Sequence, residues 1–176
     1  MQSQFPRNIF LTGFMGAGKT TVGRLLAELL QCPFIDLDEL IVQREGRSIA
    51  VIFAEDGEGY FRACETAVLD ELAERPAAVY ATGGGIVVRE QNRQAMHRLG
   101  RVVYLQCSWP TLQQRLLRGR GRPLVDTANG WQKVEVIWSE RQAFYRDADI
   151  VIEVDSLTPR QVAQRVAQQL KDIAQS

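Results

Sequence analysis

Apolar positions along this chain follow two rhythms. Asn8–Thr12 (NIFLT), Pro33–Asp36 (PFID), Ala78–Thr82 (AVYAT), Arg101–Gln106 (RVVYLQ) and Ile150–Val154 (IVIEV) are short apolar runs that read as buried strands. Between them the spacing turns helical. Val22, Leu25, Leu26, Leu29 and Leu30 form one stripe from Lys19 onward, and Leu40, Ile41, Ile49, Ile52 and Phe53 suggest helices broken near Gly46. Phe61–Ala73 continues as a helix that Pro76 ends, and Pro159–Ile173 is the last one. Strands alternating with helices predict an α/β fold: five parallel strands covered by helices on both faces. No repeat or low-complexity tract interrupts the order. One stretch fits neither rhythm: Arg118–Gly130 (RGRGRPLVDTANG), with three glycines, has the length of a functional lid rather than of a passive connection.

Composition narrows the class. A chain of 176 residues is read as one domain, 1–176, long enough to bury a core without disulfides or a structural metal. No apolar run approaches the ~20 residues of a membrane span. The N-terminal stretch has no charged segment leading into a long apolar one, so a cytoplasmic location and no membrane partner are expected. Cys32, Cys64 and Cys107 are scattered and odd in number, which fits reduced thiols better than a disulfide framework or a metal site. Lys+Arg and Asp+Glu are both 21, so global charge argues for no nucleic-acid partner. A monomer is the expectation, because no long exposed apolar patch is evident.

Lysine occurs only at 19, 133 and 171 in a chain that otherwise uses arginine, and the choice at 19 has a chemical reason. Gly13-Phe14-Met15-Gly16-Ala17-Gly18-Lys19-Thr20 matches GxxxxGK[ST] in full, between a predicted strand and a predicted helix. Glycines let the backbone curl so that N–H groups converge on a phosphate cluster, and the helix start adds its own donors and positive dipole end. Lys19 is a compact charge able to reach the β- and γ-phosphates, and the Thr20 hydroxyl is placed for Mg²⁺. A nucleotide and Mg²⁺ are therefore expected. A signalling GTPase is disfavoured. Asp56–Gly59 spells DxxG, but it follows a helical pattern and reads as a helix-ending turn, and no NKxD follows.

The acceptor side is carried by several weaker signals. Asp36 and Asp38 lie two apart at the end of the second predicted strand, so they are expected to face one side at the sheet edge where such folds bind ligands. Asp36 suits a water of the Mg²⁺ shell, and Asp38 suits orienting or deprotonating a substrate hydroxyl, with a helix N-cap as the structural alternative. Gly83-Gly84-Gly85 follows the third strand directly, where close approach of backbone to a ligand explains three glycines better than a turn alone. Arg62 and Glu65 stand one helical turn apart, so the carboxylate can fix the guanidinium; an exposed ion pair is the plainer reading. Arg115, Arg118, Arg120 and Arg122 give the lid-like segment its basic character, and Arg141 and Arg146 flank Tyr145. His97 sits in a polar helix and is assigned no chemistry.

Taken together, GFMGAGKTT at 13–21, FIDLD at 34–38, GRSIAVIF at 46–53, YFRACE at 60–65, ATGGG at 81–85, RPL at 122–124 and ERQAFYR at 140–146 resemble the shikimate kinase family over essentially the whole length. The resemblance implies a three-layer α/β/α P-loop fold of the nucleoside-monophosphate-kinase type with a mobile lid about 115–130 and a substrate-binding segment about 37–65. It implies transfer of the ATP γ-phosphoryl group to the 3-hydroxyl of shikimate, in aromatic amino-acid synthesis. Carried over residue by residue, Gly16, Ala17, Gly18, Lys19, Thr20 and Thr21 wrap the nucleotide phosphates, Thr20 and Asp36 serve Mg²⁺, and Asp38 binds the shikimate hydroxyls and acts as base. Arg62 and Arg141 clamp the shikimate carboxylate, the glycines Gly83, Gly84 and Gly85 approach the substrate, and Arg122 closes over the phosphates. Arg115 and the 156–159 loop are adenine candidates by position. The alternatives are a gluconate-type or nucleoside monophosphate kinase, and a non-catalytic nucleotide-binding regulator.

Overall fold

A computed structural model describes residues 7–118 and 130–175. All five predicted strands form, each within a residue or so of its predicted bounds. They are β1 (Asn8–Thr12), β2 (Phe34–Asp36), β3 (Val79–Ala81), β4 (Gly100–Gln106) and β5 (Ile150–Glu153). They make one parallel sheet in the order β2-β3-β1-β4-β5. β1 lies at its centre, with Leu11 opposite Ala81 on one side and Val103 on the other. Every residue of β1 is buried, which is what an apolar run with no alternation requires in a sheet covered on both faces.

The helices are α1 (Lys19–Leu30), α2 (Leu37–Glu45), α3 (Ile49–Glu55), α4 (Gly57–Glu71), α5 (Glu90–Leu99), α6 (Trp109–Arg118), α7 (Gly130–Tyr145) and α8 (Pro159–Gln175). The apolar stripes of α1 and α8 pack on each other and on the sheet; Val22, Leu26, Val162 and Val166 are among the buried contacts. On α4 the structure corrects the sequence reading. The helix starts at Gly57, four residues before the apolar stripe begins at Phe61, because its first turn is exposed and polar. The DGEG segment is therefore a junction. The Asp56 N–H closes α3 on Ile52 O, and the next residue opens α4.

All five strands run the same way, so every loop leaving a strand C-terminus emerges at one edge of the sheet. The phosphate loop after β1, Asp36 at the end of β2 and the glycine triplet after β3 converge there. At the same edge the three tryptophans cluster: Trp109 at the start of α6 lies 6.0 Å from Trp131 and 5.8 Å from Trp138, both on α7. No helix among the described residues is long and apolar enough to cross a membrane.

Candidate active site

The phosphate loop is shaped by its glycines and held from behind. Gly16 (φ 84°) and Gly18 (φ 98°) take left-handed backbone that other residues rarely adopt. Gly18 is also the N-cap of α1 and provides no side-chain cap, so the first-turn N–H groups of this helix have no side chain of the cap residue to satisfy them. Arg115 Nη1, from α6, donates to Gly16 O (3.2 Å) and Ala17 O (3.3 Å). In a trans peptide the carbonyl and N–H point opposite ways, so a carbonyl turned to Arg115 sends the Gly18 N–H away from it. Lys19 Nζ donates to Gly13 O (2.7 Å) and Phe14 O (3.0 Å), which holds the ammonium against the loop. Beside the loop lies a cavity of about 330 Å³ lined by Gly16, Gly18, Thr21, Arg115, Leu157 and Pro159. Arg115 and two residues of the 156–159 loop thus meet at one cavity.

Thr20 and Asp36 come together as expected, but by a different geometry. β2 ends at Asp36, and Asp38 is already in the first turn of α2, so the two aspartates are not alternate residues of a strand. Asp36 is the N-cap: its Oδ1 accepts the Asp38 N–H (3.1 Å), and its Oδ2 accepts the Thr20 hydroxyl (3.0 Å). A hydroxyl and a carboxylate are hard oxygen donors, and Mg²⁺ characteristically takes only one or two carboxylates beside phosphate and water. The pair therefore fits Mg²⁺. Among the described residues no group of three or more His, Cys, Asp or Glu side chains could form a larger metal cage.

Asp38 and Glu65 come together beside the glycine triplet, both facing Gly83. Asp38 Oδ1 and Glu65 Oε1 are both buried and without a hydrogen-bond partner. Burial pushes the Asp38 carboxyl above the usual carboxylate range, and the Asp36 charge adds to this, while Lys19 and Arg62 oppose it. Burial also raises Glu65, against the opposing effect of Arg62. Buried polar oxygens are nearly always satisfied in a resting protein, so two such atoms side by side at Gly83 mark a place for a hydrogen-bonding ligand.

The glycine triplet makes room for these side chains. A Cβ on Gly83 would stand 2.8 Å from Asp38 Oδ1 and 3.0 Å from Glu65 Oε1, and one on Gly85 would run into the Arg62 guanidinium. None of the three has a positive φ. The requirement is close approach, and the first neighbours are the site's own acidic and basic side chains.

Arg62 is held by two carboxylates of different worth. Its Nη1 donates to Glu65 Oε2 (2.7 Å), whose side chain is 1% exposed, and its Nε and Nη2 reach Glu58 (3.2 and 3.0 Å), which is 63% exposed. An exposed i,i+4 pair is worth about 0.3–0.5 kcal/mol, whereas removing one partner of a buried pair costs about 3–5 kcal/mol. Glu65 therefore sets the guanidinium. Glu58 was missed in the sequence, although its i,i+4 spacing to Arg62 could have found it.

Arg141 reaches the glycine triplet from α7. Its Nη1 donates to Gly84 O (3.2 Å), and it contributes to the field at Glu65. Tyr145, one turn further along α7 and fully buried, donates its hydroxyl to the same carbonyl. Arg118 lies exposed at the end of α6; Arg120 and Arg122, with most of the expected lid, fall outside the described residues. His97 lies against Asp147 (3.1 Å) and Asp149 (3.4 Å), remote in sequence from these segments. A wider cleft of about 530 Å³ is bordered by Gln106, Trp109, Trp138, Glu153 and Ser156, the last from the 156–159 loop.

Against known proteins, a family model described as shikimate kinase matches residues 15–171. A protein named shikimate kinase from Pseudomonas syringae pv. tomato is 45% identical over 168 residues, covering 95% of this chain and 98% of that protein. The solved structure of a shikimate kinase from Acinetobacter baumannii in complex with shikimate superposes with a TM-score of 0.87 at 42% identity, covering 94% of this chain and 93% of that one. A gluconokinase from Sinorhizobium meliloti shares the fold at a TM-score of 0.59 and 20% identity, covering 95% and 97%.

Proposed function

Because this chain belongs to the shikimate kinase family, an ATP-dependent kinase that phosphorylates the 3-hydroxyl of shikimate, we propose that the chamber between the phosphate loop, α4 and α7 carries that reaction. The observation that supports this most is the pairing of two buried, unpartnered carboxylate oxygens, on Asp38 and Glu65, with two guanidinium groups, Arg62 and Arg141. A hydroxylated ring bearing one carboxylate matches that inventory. Its hydroxyls donate to Asp38, and its carboxylate accepts from Arg62 and Arg141 in charge-assisted bonds.

The donor side follows from the loop. The N–H groups of Gly16 to Thr21 and the start of α1 bind the β- and γ-phosphates, and Lys19 leaves the loop carbonyls to bridge to the transferred group. Adenine occupies the cavity between Arg115 and the Leu157–Pro159 rim. Thr20 and Asp36 would hold Mg²⁺, which supplies charge neutralisation for the phosphates. Arg122 is assigned to the phosphoryl group by the family resemblance. Asp38 orients the attacking hydroxyl and takes its proton. Little covalent chemistry is asked of the protein, since positioning and positive charge dominate phosphoryl transfer. The protein works as a monomer in the cytoplasm on this reading.

A coupled ADP-release assay offering shikimate, gluconate and nucleoside monophosphates in parallel tests the acceptor. Turnover with shikimate alone is expected, and turnover only with one of the others refutes the assignment. Arg62→Ala and Arg141→Ala are each expected to raise KM for shikimate by at least ~10-fold, the loss of a charge-assisted bond, with KM for ATP little changed. Unchanged shikimate KM in both overturns the carboxylate clamp. Gly85→Ala is expected to leave ATP binding intact and raise shikimate KM, because the added methyl displaces the Arg62 guanidinium. Wild-type shikimate KM in this variant would show that Arg62 is free to settle elsewhere without loss.

A further inference from the structure

We infer that Tyr145 is a positioning residue for substrate binding: through the Gly84 carbonyl its hydroxyl fixes both the glycine turn and the Arg141 guanidinium. This rests on the reading of Arg141 as part of the carboxylate clamp.

Gly84 O accepts from two groups on one face of α7, Arg141 Nη1 (3.2 Å) and the Tyr145 hydroxyl, which stand at i and i+4. The Arg141 charge also acts on the Tyr145 hydroxyl, so the two side chains stand beside one another at the shared carbonyl. An arginine has several rotatable bonds and five N–H donors. A single bond to a mobile turn would leave its remaining donors unaimed. A turn anchored by a second donor gives that bond a fixed end, and the other guanidinium edge is then set toward a ligand.

The anchor is itself rigid. Tyr145 is 1% exposed, and its ring stacks on Tyr104 of β4 with centroids 5.2 Å apart and planes 15° from parallel. The Tyr104 hydroxyl donates to Gln142 Oε1 (2.9 Å), and Gln142 Nε2 donates to Trp138 O (3.0 Å), so α7 is tied back to the sheet beside the anchor. The glycine turn in turn lies against the phosphate loop, since a Cβ on Gly84 would stand 3.5 Å from Met15 N and 3.6 Å from Gly13 O. A filler of core space would need only the ring. The hydroxyl has a partner that belongs to the site.

Tyr145→Phe keeps the ring and its stack and removes the one oxygen. Its expected effect is a rise of roughly 3- to 10-fold in KM for shikimate, the worth of one neutral hydrogen bond, with KM for ATP and kcat each within about twofold of wild type. The double variant with Arg141→Ala decides the route. If Tyr145 acts through Arg141, adding Tyr145→Phe to Arg141→Ala raises KM for shikimate no further. Multiplicative effects in the double variant, or parallel rises in KM for both substrates, overturn the inference. An unchanged shikimate KM in Tyr145→Phe also overturns it, while a raised KM in Arg141→Ala leaves the clamp standing. A wild-type KM in Arg141→Ala removes Arg141 from the clamp, and this inference falls with it.

Discussion

Asp38→Asn is expected to lower kcat by roughly 10²-fold or more while leaving the fold and ATP binding in place. The amide is nearly isosteric and still meets a hydroxyl, but it cannot take the proton. Steady-state kinetics with a parallel measurement of nucleotide affinity checks this, and a kcat near wild type removes Asp38 from the role of base. Stability should move the other way. Burial first, and the neighbouring Asp36 charge second, raise the Asp38 carboxyl above the usual carboxylate range. The folded state then holds more protons than the unfolded chain between the ordinary carboxylate value and the raised one, so this group's contribution to stability falls as pH rises through that window. At neutral pH the ionised form is a burden on the fold, and Asp38→Asn should melt at the same temperature or higher. The same displacement puts the acid limb of the wild-type rate profile above the pH at which an exposed aspartate would titrate. A lower melting temperature in the variant would mean that the charge stabilises the resting chamber through Lys19 and Arg62 more than burial penalises it.

Lys19→Ala should cost more, on the order of 10³-fold in kcat/KM for ATP at saturating shikimate, because it removes a preorganised charge from the group being transferred. Lys19→Arg should recover little. In the resting loop the ammonium fits between Gly13 O and Phe14 O at 2.7 and 3.0 Å, and a planar guanidinium is broader than that seat. An arginine variant within about threefold of wild type would refute the argument that a compact charge is required.

Much of this site was legible in the chain, and unevenly. The strands and the phosphate loop were readable because their signals are local: a continuous apolar run, a glycine spacing, a lysine among arginines. Asp36 and Asp38 lie close together, but not for the reason the sequence suggests. Strand alternation was the premise, but the chain enters α2 at once, and the capping bond from Asp38 N–H to Asp36 brings the carboxylates together. The glycine triplet was tied to close approach, yet nothing local could say that Asp38, Glu65 and Arg62 occupy the space. Those contacts join residues 18 to 45 positions apart and exist only once β2 and β3 pair. Arg62 shows the same limit. Its spacing to Glu65 was visible, but an exposed surface pair looks identical in sequence to one whose acid is 1% exposed. The long-range ties of Arg115 to the phosphate loop and of Tyr145 to Gly84 left no trace at any fixed spacing.

The tryptophan cluster has an optical consequence. All three indoles of the protein sit together where α6 meets α7, the two helices that bracket residues 119–129. At separations near 6 Å their excited states exchange energy, so ultraviolet emission comes from one place and not from an average over the molecule. The unmodified protein thus carries its tryptophan emission at one place. That emission reports on the two helices that carry Arg115 and Arg141.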